Sequence, residues 1–195
     1  MSTQTTGDFD TLCTGDLPTK PWRPQSELEA NPIGLPRDVC ETLSAQLDRH
    51  LASLYTMWHQ YRKHHWLVTG PQFMDLHKYL EANYDEIAED GDLVAERMTA
   101  IGGIPTCAPA AQEALSYIDP EPEGMFHIRD SLKRDRESEG IIAINLRKTI
   151  QEAGKHGDFG TERILKKVLV HAEDRAHHLD HFLEEDSLEI GRADG

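Results

Sequence analysis

Hydrophobic residues recur along most of this chain at steps of three and four, the spacing of one face of an α-helix. Four long segments carry this pattern, and none shows the alternation of a half-buried strand. They cover approximately residues 36–68, 73–101, 126–153 and 159–186. Gly91 interrupts the second segment and leaves a break there open, because a glycine inside a helix costs about 1 kcal/mol. The pattern predicts an all-α fold, a four-helix bundle.

The connection between the second and third helices is long and rich in proline and alanine, spanning residues 106–125. One short helical stretch falls within it, near 110–117. A connection of this length favours a ferritin-like crossover over a simple up-down bundle. The many prolines and small polar residues of 1–35 predict an extended, flexible arm. We therefore divide the chain into this arm, a ferritin-like bundle at 36–186 and an acidic tail at 187–195.

The chain is strongly acidic, with 35 acidic and 20 basic residues and a net charge of −15. Such a surface repels nucleic acids and anionic membranes and attracts cations. No run of about eighteen apolar residues exists, so the sequence predicts no membrane span. The N-terminus lacks the basic start and apolar block of a signal peptide, and the three cysteines form no CxxC pair. We expect a cytoplasmic protein with reduced thiols and no structural zinc site.

Residues of metal-ligand type share one face of the second helix. His77 and Glu81 are one turn apart, as are Asp92 and Glu96. At 100° per residue, the four positions fall within about 100° of one another. His65 lies on the apolar face of the first helix. A core histidine bonded to its neighbours is the simpler interpretation of either histidine alone, but three carboxylates on the same face are costly to bury without a cation.

The spacing of the two pairs determines how they can meet. Glu81 and Asp92 are eleven residues apart, which is about 16 Å along a helix. One subunit cannot close both pairs around one metal cluster. Two copies of the helix, antiparallel across a two-fold axis, bring the first pair of one chain to the second pair of the other and create two identical sites. A mixed histidine and carboxylate shell suits iron better than structural zinc.

These residues belong to a longer motif that resembles the signature of Dps proteins, ferritin-like proteins named for binding DNA in starved cells. The similarity is dense over residues 58–105, and the bundle outline extends it over about 36–186. The residues that carry it are His65-Trp66, Gly70, Phe73, Leu76-His77, Glu81, Asp92, Glu96-Arg97 and Gly102-Gly103. The resemblance implies a hollow shell of twelve subunits that oxidises Fe(II), preferentially with hydrogen peroxide. It also implies that ferric mineral is stored inside and that DNA is thereby protected from oxidative damage.

The same resemblance implies which residues hold the iron. The ferroxidase ligands would be His65, His77 and Glu81 from one subunit, with Asp92 and Glu96 from its two-fold mate. The family often has aspartate in place of Glu81, and the longer side chain keeps the oxygen ligand but shifts it. His64 lies about 100° around the first helix from its neighbour. We expect it to face solvent or to lie behind the ligands.

Two further groups of residues give weaker predictions. The first surrounds the turn between the third and fourth helices and aligns with the acidic segment that lines three-fold pores in Dps shells: Glu152, His156, Asp158 and Glu162. A solvated cluster at two helix ends is the simpler interpretation, and the resemblance implies a pore through which iron enters as the alternative. The second comprises four histidines of the last helix, His171, His177, His178 and His181. We expect these on the surface, with weak iron-transit sites as the alternative.

Three other functional classes fit this sequence less well. A conventional ferritin or bacterioferritin uses Glu-x-x-His pairs within one bundle, and this chain contains none. A nucleoid protein that compacts DNA needs basic tails, because cations that neutralise phosphates supply most of the affinity. Here residues 1–30 carry a net charge of −3 and 184–195 a net charge of −4, so we expect no stable nucleic-acid binding. A metal-free interaction bundle would leave the carboxylates unexplained.

Overall fold

The computed structural model describes residues 20–184, which form five helices and no strand. The helices are α1 (Arg37–Leu67), α2 (Phe73–Ala100), α3 (Pro109–Leu115), α4 (Ile128–Lys155) and α5 (Phe159–Leu183). The four long helices are those predicted, and α3 is the short helix of the crossover, so the all-α fold is confirmed. Residues 1–19 and 185–195, which include most of the predicted arm and the acidic tail, lie outside the described residues.

The long helices pack as two pairs, α1 with α2 and α4 with α5, around one common core. Each helix supplies side chains that are fully buried, such as Leu47, Leu80, Ile142 and Val168. Burying one such side chain stabilises the fold by about 1.5–3 kcal/mol, so the periodic apolar faces determine how the helices associate. Within residues 20–184, no helix is long and apolar enough to cross a membrane.

Helix α2 runs without a break through Gly91. This glycine is buried against α1, where a Cβ atom would meet Tyr55 Cε2 at 3.6 Å and Leu51 Cδ1 at 3.7 Å. These are ordinary contact distances, so the packing of α1 on α2 outweighs the low helix propensity of glycine. The break that the sequence left open does not occur.

The part of the predicted arm that the structure describes is attached to the end of α2. The backbone N–H of Glu29 donates to the carbonyl oxygen of Gly102 at 3.0 Å, and the Arg23 side chain donates to the same oxygen at 3.2 Å. Gly102 has a φ of +95°, and a Cβ atom there would lie 2.2 Å from the Glu29 oxygen. Only glycine fits this position, which gives the Gly-Gly motif after α2 a structural reason.

Candidate metal centre

The turn between α1 and α2 brings two of the predicted ligands into contact. His65, near the end of α1, stacks on His77, near the start of α2, with ring centroids 3.7 Å apart and planes 19° from parallel. Nδ1 of His65 is 2.9 Å from the backbone oxygen of His77, and Nδ1 of His77 is 3.0 Å from the backbone oxygen of His65. Both side chains are half-buried.

This reciprocal bonding determines which nitrogen of each ring is available. A carbonyl oxygen can only accept, so each Nδ1 must carry the hydrogen and donate it. In a neutral imidazole, Nε2 then keeps its lone pair. Histidines that bind metals commonly have the other ring N–H held by a carbonyl in this way. The two rings are therefore oriented, and in the required tautomer, to bind a cation through Nε2.

Glu81 lies one turn further along α2, on the exposed side of the same region. Its carboxylate accepts a hydrogen bond of 3.4 Å from the Tyr84 hydroxyl, and the Tyr84 ring contacts His65 edge-on with centroids 5.4 Å apart. Tyr84 therefore connects the carboxylate to the histidine pair. The three residues predicted to come from one subunit lie in one region of the chain, but their ligand atoms do not all lie within 4.8 Å of one another. Their binding of iron stays a prediction.

Asp92 and Glu96 are exposed further along α2. Within residues 20–184, neither belongs to a group of three ligand-type side chains close enough to share an ion. The single chain therefore does not assemble the predicted set of five by itself. This placement is what the spacing along the helix requires, and completing the set would take a second copy of the chain.

The described residues do contain one such group of three, and it is a different one: Glu86, Asp90 and His171. The prediction that His171 is a surface histidine is wrong, because it is partly buried where α5 meets α2 and its Nδ1 lies 2.8 Å from Asp90 Oδ1. The other three histidines of α5 are exposed, as predicted. Sequence reasoning missed Glu86 and Asp90, although their spacing of one helical turn was an available signal.

The centre of the bundle holds a buried guanidinium. Arg175 is 1% exposed and donates to Glu139 through Nε (2.7 Å) and Nη2 (3.2 Å), and to Glu86 through Nη1 (2.7 Å). In di-iron bundles the inward-facing carboxylates of this region surround metal ions. Here a side chain supplies the positive charge, which counts against the conventional ferritin alternative.

His64 does not face solvent, which was one of the two environments expected for it. It is 3% exposed and points into the bundle, with Nδ1 2.8 Å from Asp135 and Nε2 3.2 Å from Glu121. The expectation that it faces solvent is wrong because α1 packs against both α2 and α4, which widens its buried face. Burial alone would lower the pKa of His64, but the hydrogen bond and charge of Asp135, together with Glu121, outweigh it and raise the pKa.

The four residues predicted to line a pore have different environments. His156 Nε2 is 3.0 Å from a Glu152 oxygen, and both side chains reach solvent, as does Glu162. Asp158 is 2% exposed, caps α5 by accepting from a backbone N–H of its first turn (2.9 Å), and pairs with Arg97 at 2.6 Å. Asp158 therefore stabilises the helix start, and the pore prediction rests on the other three residues.

A family model and solved structures with a similar fold show which class of protein this chain belongs to. Residues 44–188 match the model of the ferritin-like domain. Among solved structures, an archaeal Dps homologue from Halobacterium salinarum is similar with a TM-score of 0.84 and 35% identity, covering 86% of this chain and 94% of that one. DpsC from Streptomyces coelicolor is similar with a TM-score of 0.83 and 25% identity, covering 86% and 98%.

Proteins related in sequence show which family of ferritin-like proteins this is. The chain is 38% identical over 151 residues to the DNA protection during starvation protein of Halobacterium salinarum, covering 77% of this chain and 83% of the relative. It is 33% identical over 161 residues to a nutrient stress-induced DNA-binding protein of a Nostoc species, covering 83% and 88%. The chain therefore belongs to the Dps family of ferritin-like proteins, a family of iron storage and DNA protection.

Proposed function

We propose that this protein is a ferroxidase that oxidises Fe(II), preferentially with hydrogen peroxide, at sites between subunits and stores the ferric product inside a hollow shell. The observation that supports this most is the stacked pair of His65 and His77, whose Nδ1 atoms are both bound by carbonyl oxygens. Two Nε2 lone pairs, together with the Glu81 carboxylate one turn further along α2, are the donor types that suit Fe(II).

The second half of each site would come from a two-fold mate. Asp92 and Glu96 supply carboxylates on the same face of α2 as His77 and Glu81, but too far along the helix to join them within one chain. An antiparallel copy of α2 would bring the two pairs together. The surface around the histidines supports an interface, because three large apolar residues are exposed there: Trp66 (66%), Phe73 (37%) and Met74 (56%). Exposed apolar patches of this kind mark protein contacts. The family implies twelve subunits in the shell.

The chemistry needs two electrons for each peroxide. Two Fe(II) ions each lose one electron, the O–O bond of hydrogen peroxide breaks, and two protons complete two molecules of water. Holding both irons at one site delivers the electrons as a pair, which limits release of hydroxyl radical. The protein contributes oriented imidazole and carboxylate ligands. Iron is the substrate and the stored product.

Iron would reach the interior through an acidic pore. Glu152, His156 and Glu162 all reach solvent around the turn between α4 and α5. The bonds to Lys155 and His156 lower the pKa of Glu152, so its carboxylate stays charged and able to attract Fe(II). Two described cysteines, Cys40 and Cys107, are free thiols, which fits a cytoplasmic location.

DNA would be protected without being bound. The relatives include proteins named for DNA binding, but the net charge of −15 in this chain opposes a polyanion. Concentrated salt would screen the repulsion and would also remove the gain from counterion release. Protection then follows from removing Fe(II) and peroxide. A gel-shift assay at low salt that retards duplex DNA, with the retardation abolished by deleting residues 1–30, would contradict this part of the proposal.

The direct test is peroxide-dependent iron oxidation by purified variants. His65→Ala, His77→Ala and Glu96→Ala should each slow the rise of ferric absorbance while particle size by light scattering stays that of the parent. His59→Ala is the matched control, since His59 is an exposed histidine on α1 outside the proposed site, and it should oxidise iron at the parent rate. Parent rates in all three site variants would refute the assignment.

A further inference from the structure

A polar cluster lies where α5 packs on α2, inside a single chain. One ligand atom from each of Glu86, Asp90 and His171 lies within 4.8 Å of the others. His171 Nδ1 is 2.8 Å from Asp90 Oδ1 and 3.9 Å from Glu86 Oε1. Ligands of one ion held by bonds of about 2.0–2.2 Å are separated by about 3 Å. The observed separations therefore need little adjustment to surround an ion.

This cluster is separate from the interface site. At 100° per residue, Asp90 projects about 180° away from Glu81 and about 160° away from Asp92. Asp90 is fully buried in the bundle, whereas Glu81 and Asp92 are exposed in the single chain. The two groups of ligand-type residues therefore occupy opposite sides of α2, and one can be removed without touching the other.

The charges around the cluster do not balance. At formal charges, Glu86, Asp90 and Glu139 contribute three negative charges and Arg175 supplies one positive charge, leaving an excess of −2. Arg175 uses Nε and Nη2 on Glu139 and Nη1 on Glu86. Its Nη1 stays 3.5 Å from Asp90 Oδ2, which is too long for a good hydrogen bond. One divalent cation would bring the sum to zero.

Asp90 supplies an independent observation. Its side chain is 0% exposed, and among the described residues Oδ2 accepts no hydrogen bond. A buried carboxylate oxygen that accepts no hydrogen bond is costly, and this one has Arg175 Nη1 at 3.5 Å, an ion pair without a good hydrogen bond.

We propose that Glu86, Asp90 and His171 form a second cation site, within one chain, that binds one divalent transition-metal ion. Two carboxylates with one imidazole suit Zn²⁺, Fe²⁺, Mn²⁺ or Co²⁺ and are a poor match for Ca²⁺, which takes oxygen ligands only. Glu86 and His171 are only partly buried, so an ion can reach the site from the surface of the chain. Water would fill the remaining coordination positions. The site does not depend on the ferroxidase activity proposed above.

Zinc-soaked crystals of the full chain test the site directly. Anomalous diffraction at the zinc edge should place a peak at about 2.0–2.2 Å from one nitrogen of His171 and from an oxygen of each carboxylate. A fully occupied interface site with no peak between α2 and α5 would overturn the proposal. The cluster would then be an ion-pair network that needs no metal.

Metal counting separates this proposal from the interface site. Dialysis against Zn²⁺ without oxygen, followed by elemental analysis, should show one ion per chain fewer in His171→Ala and in Asp90→Asn than in the parent. His178→Ala is the matched control, an exposed histidine on the same helix, and should lose none at this site. The double variant His65→Ala/His77→Ala should keep this ion.

The outcomes of that count are distinguishable. A full count in both His171→Ala and Asp90→Asn refutes the second site, whatever happens at the interface. Loss of an ion in these two variants, with none lost in the double variant, supports the second site and contradicts the ferroxidase assignment. Asp90→Asn keeps the size of the side chain, so it serves as the decisive variant if His171→Ala fails to fold.

Discussion

Replacing Arg175 by leucine should destabilise the folded chain strongly, because it removes the positive charge that pairs with a buried group of carboxylates. Arg175 is 1% exposed and Glu139 is 0% exposed, and two of the three close hydrogen bonds of the guanidinium go to Glu139, at 2.7 and 3.2 Å. Removing one partner of such a buried pair costs about 3–5 kcal/mol. The Tyr61 hydroxyl, 3.1 Å from Glu139, cannot supply the lost charge.

Urea denaturation at fixed protein concentration measures this loss. Arg136→Leu is the matched control, because Arg136 pairs with Asp180 at 2.6 Å while both side chains are well exposed, and such pairs contribute about 0–1 kcal/mol. The double variant Arg175→Leu/Glu139→Leu should recover part of the loss, since it leaves no unpaired charge at position 139. A loss below about 1 kcal/mol for Arg175→Leu would refute the reasoning.

Three further predictions concern stability. Burial, with a smaller effect of Arg49, lowers the pKa of His50 to about 4. Because the folded-state pKa is lowered, the stability present above pH 6.5 falls by about 3 kcal/mol as the pH drops through 4. His50→Gln should flatten that decline in urea titrations across this range. The raised pKa of His64 acts in the opposite direction. The contribution of His64 to the stability of the fold is present below pH 6.5 and is lost as the pH rises through its folded-state pKa. His64→Gln should remove this decline at higher pH in thermal melts. Gly91→Ala should stabilise α2 by about 0.5–1 kcal/mol in urea titrations, because the added Cβ meets its neighbours at 3.6 Å or more; destabilisation would show that the contact is too tight.

The periodicity of apolar residues was sufficient to predict the fold, because each long helix buries one continuous face. It also placed His77, Glu81, Asp92 and Glu96 on one side of α2, since their positions on a helix depend on spacing alone. Spacing alone could not predict the stacking of His65 on His77, because it depends on the path of the turn between α1 and α2. The sequence indicated that the two residues were near each other and could not specify which nitrogen of each ring is free.

The wrong predictions concern side chains whose environment is determined by tertiary packing. His171 and Asp90 lie 81 residues apart, and nothing in either local pattern indicates that α5 presents one to the other. His64 became buried because α1 packs against α4 as well as α2, which widens its interior face beyond one apolar stripe. Asp158 was grouped with acidic neighbours, although an aspartate directly before a helix is also typical of an N-cap.

The central claim, that each iron site is shared between two chains, can be tested by mixing two inactive variants. One carries His65→Ala and His77→Ala, and the other carries Asp92→Ala and Glu96→Ala. In shells reassembled from equal amounts, half of the two-fold contacts pair unlike chains, and each of these has one complete site. Peroxide-dependent iron oxidation should therefore return to about one quarter of the parent rate, although each variant alone is inactive. Mixed shells that stay inactive, or single variants that keep the parent rate, would contradict a site built between subunits.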